Sequence, residues 1–180
     1  MTVPLLPAKE SDFPAIIALM NAAFRGIGSE AGWNIETDLI TGERTNESLL
    51  REEIAKGTFY LLANHGNTPA LQGCVSLRPV SPERWNLGSL TVHPASQKSG
   101  FGRGLLEAAE QYAAALGART MEMTVVNLRD SLISWYERRG YQRTGETRPF
   151  PYGDHRYGTP MRSDLEFVVL QRRIDNIPNG

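Results

Sequence analysis

One cysteine, Cys74, and three scattered histidines are all that this 180-residue chain offers to a soft metal ion or a disulfide. A single thiol excludes an intrachain disulfide and a four-cysteine zinc site, and His65, His93 and His155 form a poor ligand set, so we expect no metal. An excess of one charge is also missing. The formal net charge is -1 with no long run of either sign, which argues against a nucleic-acid partner. No segment approaches the roughly 20 consecutive apolar residues of a membrane-spanning helix. The opening stretch, Met1 to Pro7, has neither the basic region nor the apolar run of an export signal. We therefore expect a cytoplasmic protein without a membrane partner. Repeats, low-complexity blocks and linkers are absent too, so residues 1–180 read as one domain with a sizeable core.

What is present reads as alternating strands and helices. Residues 2–6 suggest a short first strand. Ser11 is a candidate cap for a helix whose Phe13, Ile16, Ile17, Met20 and Phe24 share a face, with Pro14 tolerated in the first turn. Residues 25–46 are irregular yet rich in functional types: Arg25, Trp33, Glu36, Asp38 and Arg44. A second helix over 47–56 stops at Gly57. Strands at 58–63, 71–80 and 85–92 follow, joined by short turns as in a meander. The period then changes from two to 3.6, with Leu105, Leu106, Ala109, Tyr112, Ala113 and Leu116 on one helical face. A strand over 119–127, a short helix carrying Leu132, Ile133, Trp135 and Tyr136, and strands over 141–148 and 165–172 complete the pattern. This predicts a mixed α/β sheet with helices on both faces. The Glu107/Glu110 and Arg138/Arg139 pairs read as solvated helix faces, and Cys74 as core.

The segment from Leu90 to Leu106 is the most informative. A strand ends at Pro94, a loop bearing Gly100, Gly102 and Gly104 follows, and a long helix begins at once. Glycine permits close backbone approach and positive φ. The helix start offers free N–H groups and partial positive charge, and Lys98 and Arg103 add full charges, so a pyrophosphate is favoured there. A P-loop, GxxxxGK[ST], is absent, and the loop follows a meander rather than opening the first βαβ unit of a dinucleotide fold.

These residues resemble the GNAT N-acetyltransferase superfamily. Gln97-Lys-Ser-Gly-Phe-Gly matches its [Q/R]-x-x-G-x-[G/A] signature, Leu90-Thr-Val-His-Pro matches the strand before it, and Trp135-Tyr-Glu-Arg-Arg-Gly-Tyr resembles its second landmark. The resemblance covers about residues 58–172. It implies a mostly antiparallel sheet of about seven strands, four flanking helices, and a splayed strand pair holding acetyl-CoA. The backbone of Leu90, Thr91 and Val92 is expected to pair with the pantetheine arm. Gln97, Lys98, Ser99, Gly100, Phe101, Gly102 and Arg103 are expected to hold the pyrophosphate, and Tyr136 to protonate the leaving thiolate. Tyr136 also has a plain reading as core.

Two positions depart from the family pattern. Arg129 stands where an asparagine usually touches CoA, and is read as a contact to CoA phosphate or to substrate. Asn86 stands where a glutamate base is common. Glu36 is the first alternative base, and Trp33 before it a candidate apolar wall. His155 and Tyr152 lie in a loop expected to border the acceptor. The aromatic residues Phe150, Tyr152 and Tyr157 fit either a substrate rim or a homodimer contact. The expected activity is transfer of an acetyl group to a primary amine, a small-molecule amine by preference. A CoA-binding module without catalysis, and an enzyme for a longer acyl chain or a protein amine, fit the same residues.

Overall fold

A computed structural model describes residues 3–28, 32–64 and 70–175. Helix α1 (Phe13–Arg25) buries Phe13, Ile16, Leu19, Met20, Ala23 and Phe24, a stripe at three- and four-residue steps. Its N-cap is Asp12 rather than the expected Ser11, and the Asp12 carboxylate accepts from the Lys9 amide at 2.7 Å, closing a 3-10 turn that precedes the helix. Helix α2 (Glu47–Ala55) is capped by Asn46, whose side chain accepts from the Leu49 amide at 3.1 Å.

The strands are β1 (Leu6–Pro7), β2 (Ile40–Thr41), β3 (Phe59–Ala63), β4 (Gly73–Pro79), β5 (Arg84–Val92), β6 (Thr120–Val126), β7 (Gln142–Pro149), β8 (Thr159–Pro160) and β9 (Glu166–Arg173). Helices α3 (Phe101–Ala115) and α4 (Asp130–Glu137) flank β6 in sequence. The main sheet runs β1-β3-β4-β5-β6-β9-β7, antiparallel at each pairing except β5 with β6. This is the expected mixed, mostly antiparallel seven-stranded sheet with four helices.

Alternation along the strands divides the core. Tyr60 and Cys74 face α1 and α2, packing with Ile16, Met20 and Leu50. Leu61, Ala63, Val75 and Leu77 point the other way, onto Leu105, Leu106 and Ala109 of α3 and Ile133 of α4. Cys74 is a free, fully buried thiol, pushed up to about 12 by burial, consistent with its reading as core.

Two expectations are corrected here. Glu110 is not on a solvated face. It is buried, accepts from the Tyr141 hydroxyl at 2.8 Å and pairs with Arg172 at 2.7 Å. Burial pushes its carboxyl up, against the pull of those two partners. The irregular segment 25–46 also contains structure too short to show a period: β2 pairs with β8, joining it to the loop before β9. Gly158 makes that junction possible, since its φ is 105° and a Cβ there would lie 2.5 Å from the Thr41 carbonyl oxygen.

Candidate active site

Strands β5 and β6 pair only at Arg84–Thr120, Trp85–Met121 and Asn86–Glu122. Beyond that point β6 stays with β9 along its whole length, and β5 stays with β4 as far as Val92. Each strand keeps its outer neighbour and loses its inner one. A β-bulge sits where they part: between Gly88 and Thr91 of β5 the register slips against Ser76 and Cys74, and Ser89 takes a positive φ of 47°. An extra residue in one strand bends it and increases its twist. The result is the expected splay, a cleft of about 820 Å³ running between the two strands.

One end of the cleft gathers helix-start amides and cations. The chain leaves β5 through a 3-10 turn over Pro94–Ser96, stabilised by His93, whose Nδ1 accepts from the Ala95 amide at 3.3 Å. Lys98 (φ 67°) and Gly100 (φ 86°) then turn the backbone into α3. The first helical amides have no intrahelical acceptor. Gly100 and Gly102 line the cleft beside Lys98 and Arg103. A Cβ on Gly102 would lie 3.4 Å from Val92, directed into the space between loop and strand. Arg139 joins them from α4. Its guanidinium lies 3.6 Å from the Trp135 ring centroid, its Nη1 donates to the Trp135 carbonyl at 2.7 Å, and its buried Nε has no partner among the described residues. Arg139 is thus a cleft residue rather than the solvated cation expected from its helix position.

Gln97 has a role its motif does not reveal. Its Nε2 donates to the Val92 carbonyl at 3.1 Å, and its Oε1 accepts from the Trp33 amide at 2.7 Å. One side chain therefore ties the end of β5 to the loop on the opposite bank.

Tyr136 lies midway. It is 6 % exposed, lines the cleft, and packs edge-on against Trp135 and Tyr141 at centroid distances of 4.9 and 5.6 Å. Its hydroxyl has no hydrogen-bond partner among the described residues. Burial pushes the phenol well up, outweighing the nearby Arg129 and Arg139 charges. It therefore keeps its proton at neutral pH and is available as a donor.

The far end gathers charge. Glu36 is buried and bridges two arginines: Arg25 Nη1 lies 2.6 Å from Oε1, and Arg129 Nη1 lies 2.9 Å from Oε2. Arg129 also donates to the Asn34 side-chain oxygen at 2.6 Å. Arg44 lies over the Phe24 ring at 5.2 Å. Phe150, Pro151 and Tyr157, from the loop that β8 anchors, wall this end.

The sequence-derived site is thus largely assembled, with exceptions. Leu90, Val92, Gln97, Lys98, Gly100, Gly102, Arg103, Arg129 and Tyr136 line one cleft with Trp33 and Glu36. Thr91, Ser99 and Phe101 turn their side chains elsewhere. Thr91 Oγ1 donates to the Ser89 carbonyl at 2.8 Å, Ser99 Oγ donates to the Ser96 carbonyl at 2.7 Å, and Phe101 is core. Only their backbone can meet a ligand. Tyr152, expected at the substrate, is absent from the cleft lining; its hydroxyl accepts from the Leu165 amide at 2.7 Å, which fastens the loop. Tyr157 lines the cleft instead. The side chain of His155 lies outside the described residues. Glu122 faces neighbouring strands, accepting from Arg148 and Gln171 at 2.8 Å each. Sequence reasoning did not assign Arg25, Arg44, Asn34 or Arg139 to the site. The clustering of Arg25 and Arg44 with Trp33 and Glu36 in one irregular segment was the available signal.

Comparison with known proteins adds context to this geometry. No curated sequence matches the chain. Solved structures do match in fold. A GNAT family acetyltransferase from Elizabethkingia anophelis, with acetyl-CoA bound, is 18% identical with a TM-score of 0.65, covering 96% of this chain and 98% of that one. The ribosomal-protein-S18-alanine N-acetyltransferase from Escherichia coli is 15% identical with a TM-score of 0.66, covering 99% and 98%. A Salmonella typhimurium protein solved with its cofactor acetyl-CoA is 19% identical with a TM-score of 0.62, covering 99% and 97%. The family model for the acetyltransferase (GNAT) family matches residues 19–141, from the first helix through Tyr141, and the chain belongs to that family.

Proposed function

We propose that the protein is an N-acetyltransferase that moves the acetyl group of acetyl-CoA to a small primary amine by direct attack in a ternary complex. The observation that carries this reading is Tyr136: a buried, protonated phenol in the strand wedge, between an anion cradle and a charged acceptor end. The residues fit the donor. The open amides at the start of α3, with Lys98, Arg103 and Arg139, suit a pyrophosphate. The unpaired edge of β5 from Leu87 to Val92 suits an extended arm that carries its own amides. Bound acetyl-CoA would supply the thioester and its leaving thiol.

The chain's own residues do the rest. The amine nitrogen attacks the acyl carbon as the carbon–sulfur bond breaks, and Tyr136 gives its proton to the departing sulfur. The Val92 region of β5 faces the carbonyl oxygen as charge develops. Asn86 cannot accept a proton at neutral pH. Both oxygens of Glu36 already meet guanidiniums, so we assign Glu36 to holding Arg25 and Arg129 rather than to taking the proton. The amine enters neutral, and the proton its nitrogen sheds on becoming the amide passes through water to the Tyr136 phenolate, which restores the acid. Calorimetric titration with acetyl-CoA, followed by an amine panel scored for free-thiol release, tests this. Failure of acetyl-CoA to bind refutes the reading. Binding without amine-dependent release selects the second reading, a CoA-binding module without catalysis, which the engaged Glu36 favours.

A further inference from the structure

The acceptor end carries more positive charge than its own residues neutralise. Among the described residues, eight basic side chains and two carboxylates line the cleft. Lys98, Arg103 and Arg139 stand at the phosphate end. The remaining basic groups are Arg25, Arg44, Arg78, Arg129 and Lys56, which pairs with Glu52; against them stand Glu53, which accepts from the Tyr60 hydroxyl, and Glu36, the one carboxylate among the described residues paired with Arg25 and Arg129. Arg25 has a side-chain exposure of 2%, yet its buried Nε has no partner among the described residues. Burial pulls this guanidinium below its ordinary value, and the adjacent Arg44 and Arg129 charges act in the same direction against Glu36. Arg44 is the least engaged of the three: beside its place over the Phe24 ring, its guanidinium makes one long hydrogen bond among the described residues, 3.4 Å to the Ser89 hydroxyl. A buried charge without compensation is unfavourable, and guanidiniums match carboxylates and phosphonates through paired N–H groups.

We infer that the acceptor is a small primary amine bearing an acid group, carboxylate or phosphonate, which docks on Arg25, Arg44 and Arg129 while its amine turns toward Tyr136. Phe150, Pro151 and Tyr157 flank these arginines, which fits an acceptor of small size. This rests on the transferase reading and adds the class of acceptor to it.

The test pairs each acid with its neutral counterpart. The common L-amino acids are assayed against their carboxamides, and aminoalkylphosphonates against their diethyl esters, for acetyl-CoA-dependent thiol release and acetylated product. An amino acid amide has more of its amine deprotonated at neutral pH than the acid does, so nucleophilicity alone would favour the amide. The expected result is a preference of about ten- to a hundredfold in kcat/KM for acid-bearing members, the size of a charge-assisted contact. Which acid leads distinguishes carboxylate from phosphonate. In Arg44→Gln, checked for folding by its melting curve, the preference collapses through KM, and Arg44→Lys restores part of it. Equal or faster turnover of the neutral counterparts overturns the inference while leaving the transferase intact. If nothing turns over, the same acids are titrated calorimetrically into the protein saturated with CoA. Binding of an acid but not its neutral partner supports the inference, and no acid binding at millimolar concentration overturns it. Failure of acetyl-CoA itself to bind sinks the transferase reading and this inference with it.

Discussion

Replacing Tyr136 by Phe removes one oxygen atom and nothing else. The ring keeps its edge contacts with Trp135 and Tyr141. The lost hydroxyl has no partner among the described residues, so no hydrogen bond is broken in the free protein. The residue lines the cleft and its hydroxyl is not among the buried atoms without a partner, so Tyr136→Phe is expected to melt within a few degrees of the unmutated protein. Its turnover changes far more. Loss of one general acid lowers kcat by about 10²–10⁴-fold, which is roughly 2.7–5.4 kcal/mol of barrier at 1.36 per decade. The Kd for acetyl-CoA stays as it was. The measurement is single-turnover thiol release beside calorimetry and a melting curve. The pH profile adds a second check: burial raises the phenol, so unmutated protein keeps its donor form as pH climbs to the ordinary tyrosine value of about 10. A variant with full single-turnover rate, or an unmutated enzyme whose donor titrates near neutrality, would refute Tyr136 as the acid.

Other substitutions follow from particular contacts. Gly102→Asp sets a carboxylate where the cradle meets phosphate, and acetyl-CoA affinity by calorimetry is expected to fall by about tenfold or more; unchanged affinity removes the cradle. Gly158→Ala places a Cβ against the Thr41 carbonyl at positive φ. It is expected to cost about 1–3 kcal/mol, lowering the melting temperature by several degrees at about 2–4 °C per kcal/mol, and an unchanged Tm refutes the strain. For Glu122, burial works to raise the carboxyl, but hydrogen bonds from Gln171 and Arg148 and the Arg148 charge outweigh it and hold it below 4.5. A depressed folded value means stability present above the unfolded value and lost as pH falls through the folded one. Glu122→Gln should therefore flatten the acid limb of the stability curve; an identical acid limb excludes that contribution.

How much was legible in the sequence depended on length and on sign. Long apolar stripes announced α1 and α3, and the loop before α3 was readable because glycine spacing and a helix start impose one another. Two-residue strands such as β2 and β8 carry no period, so the piece that walls the acceptor end was invisible. Tyr152 and Tyr157 lie in the same loop, and only the fold decides that the first fastens Leu165 while the second meets the cleft. Arg25 closes an apolar helix, where a cation ordinarily serves the helix terminus; its burial against Glu36 depends on a loop eleven residues later. Glu36 was identifiable as a site residue, but its second guanidinium partner, Arg129, comes from 93 residues away, and the pair of arginines sets its role.

The parting of β5 from β6 has a thermodynamic side. The inner edges of the two strands beyond Asn86 and Glu122 keep peptide groups with no strand partner, so the native sheet is left unfinished in its middle. A ligand whose amides complete the rungs binds the folded chain and not the unfolded one, and at a hundred times its Kd it adds about 2.7 kcal/mol to the unfolding free energy. For a chain of this size that is a rise of about 5–10 °C in melting temperature. Acetyl-CoA, the proposed donor, becomes a structural member of the sheet when bound: the expected outcome is a melting temperature that rises with acetyl-CoA concentration, and an unchanged one would exclude this strand completion.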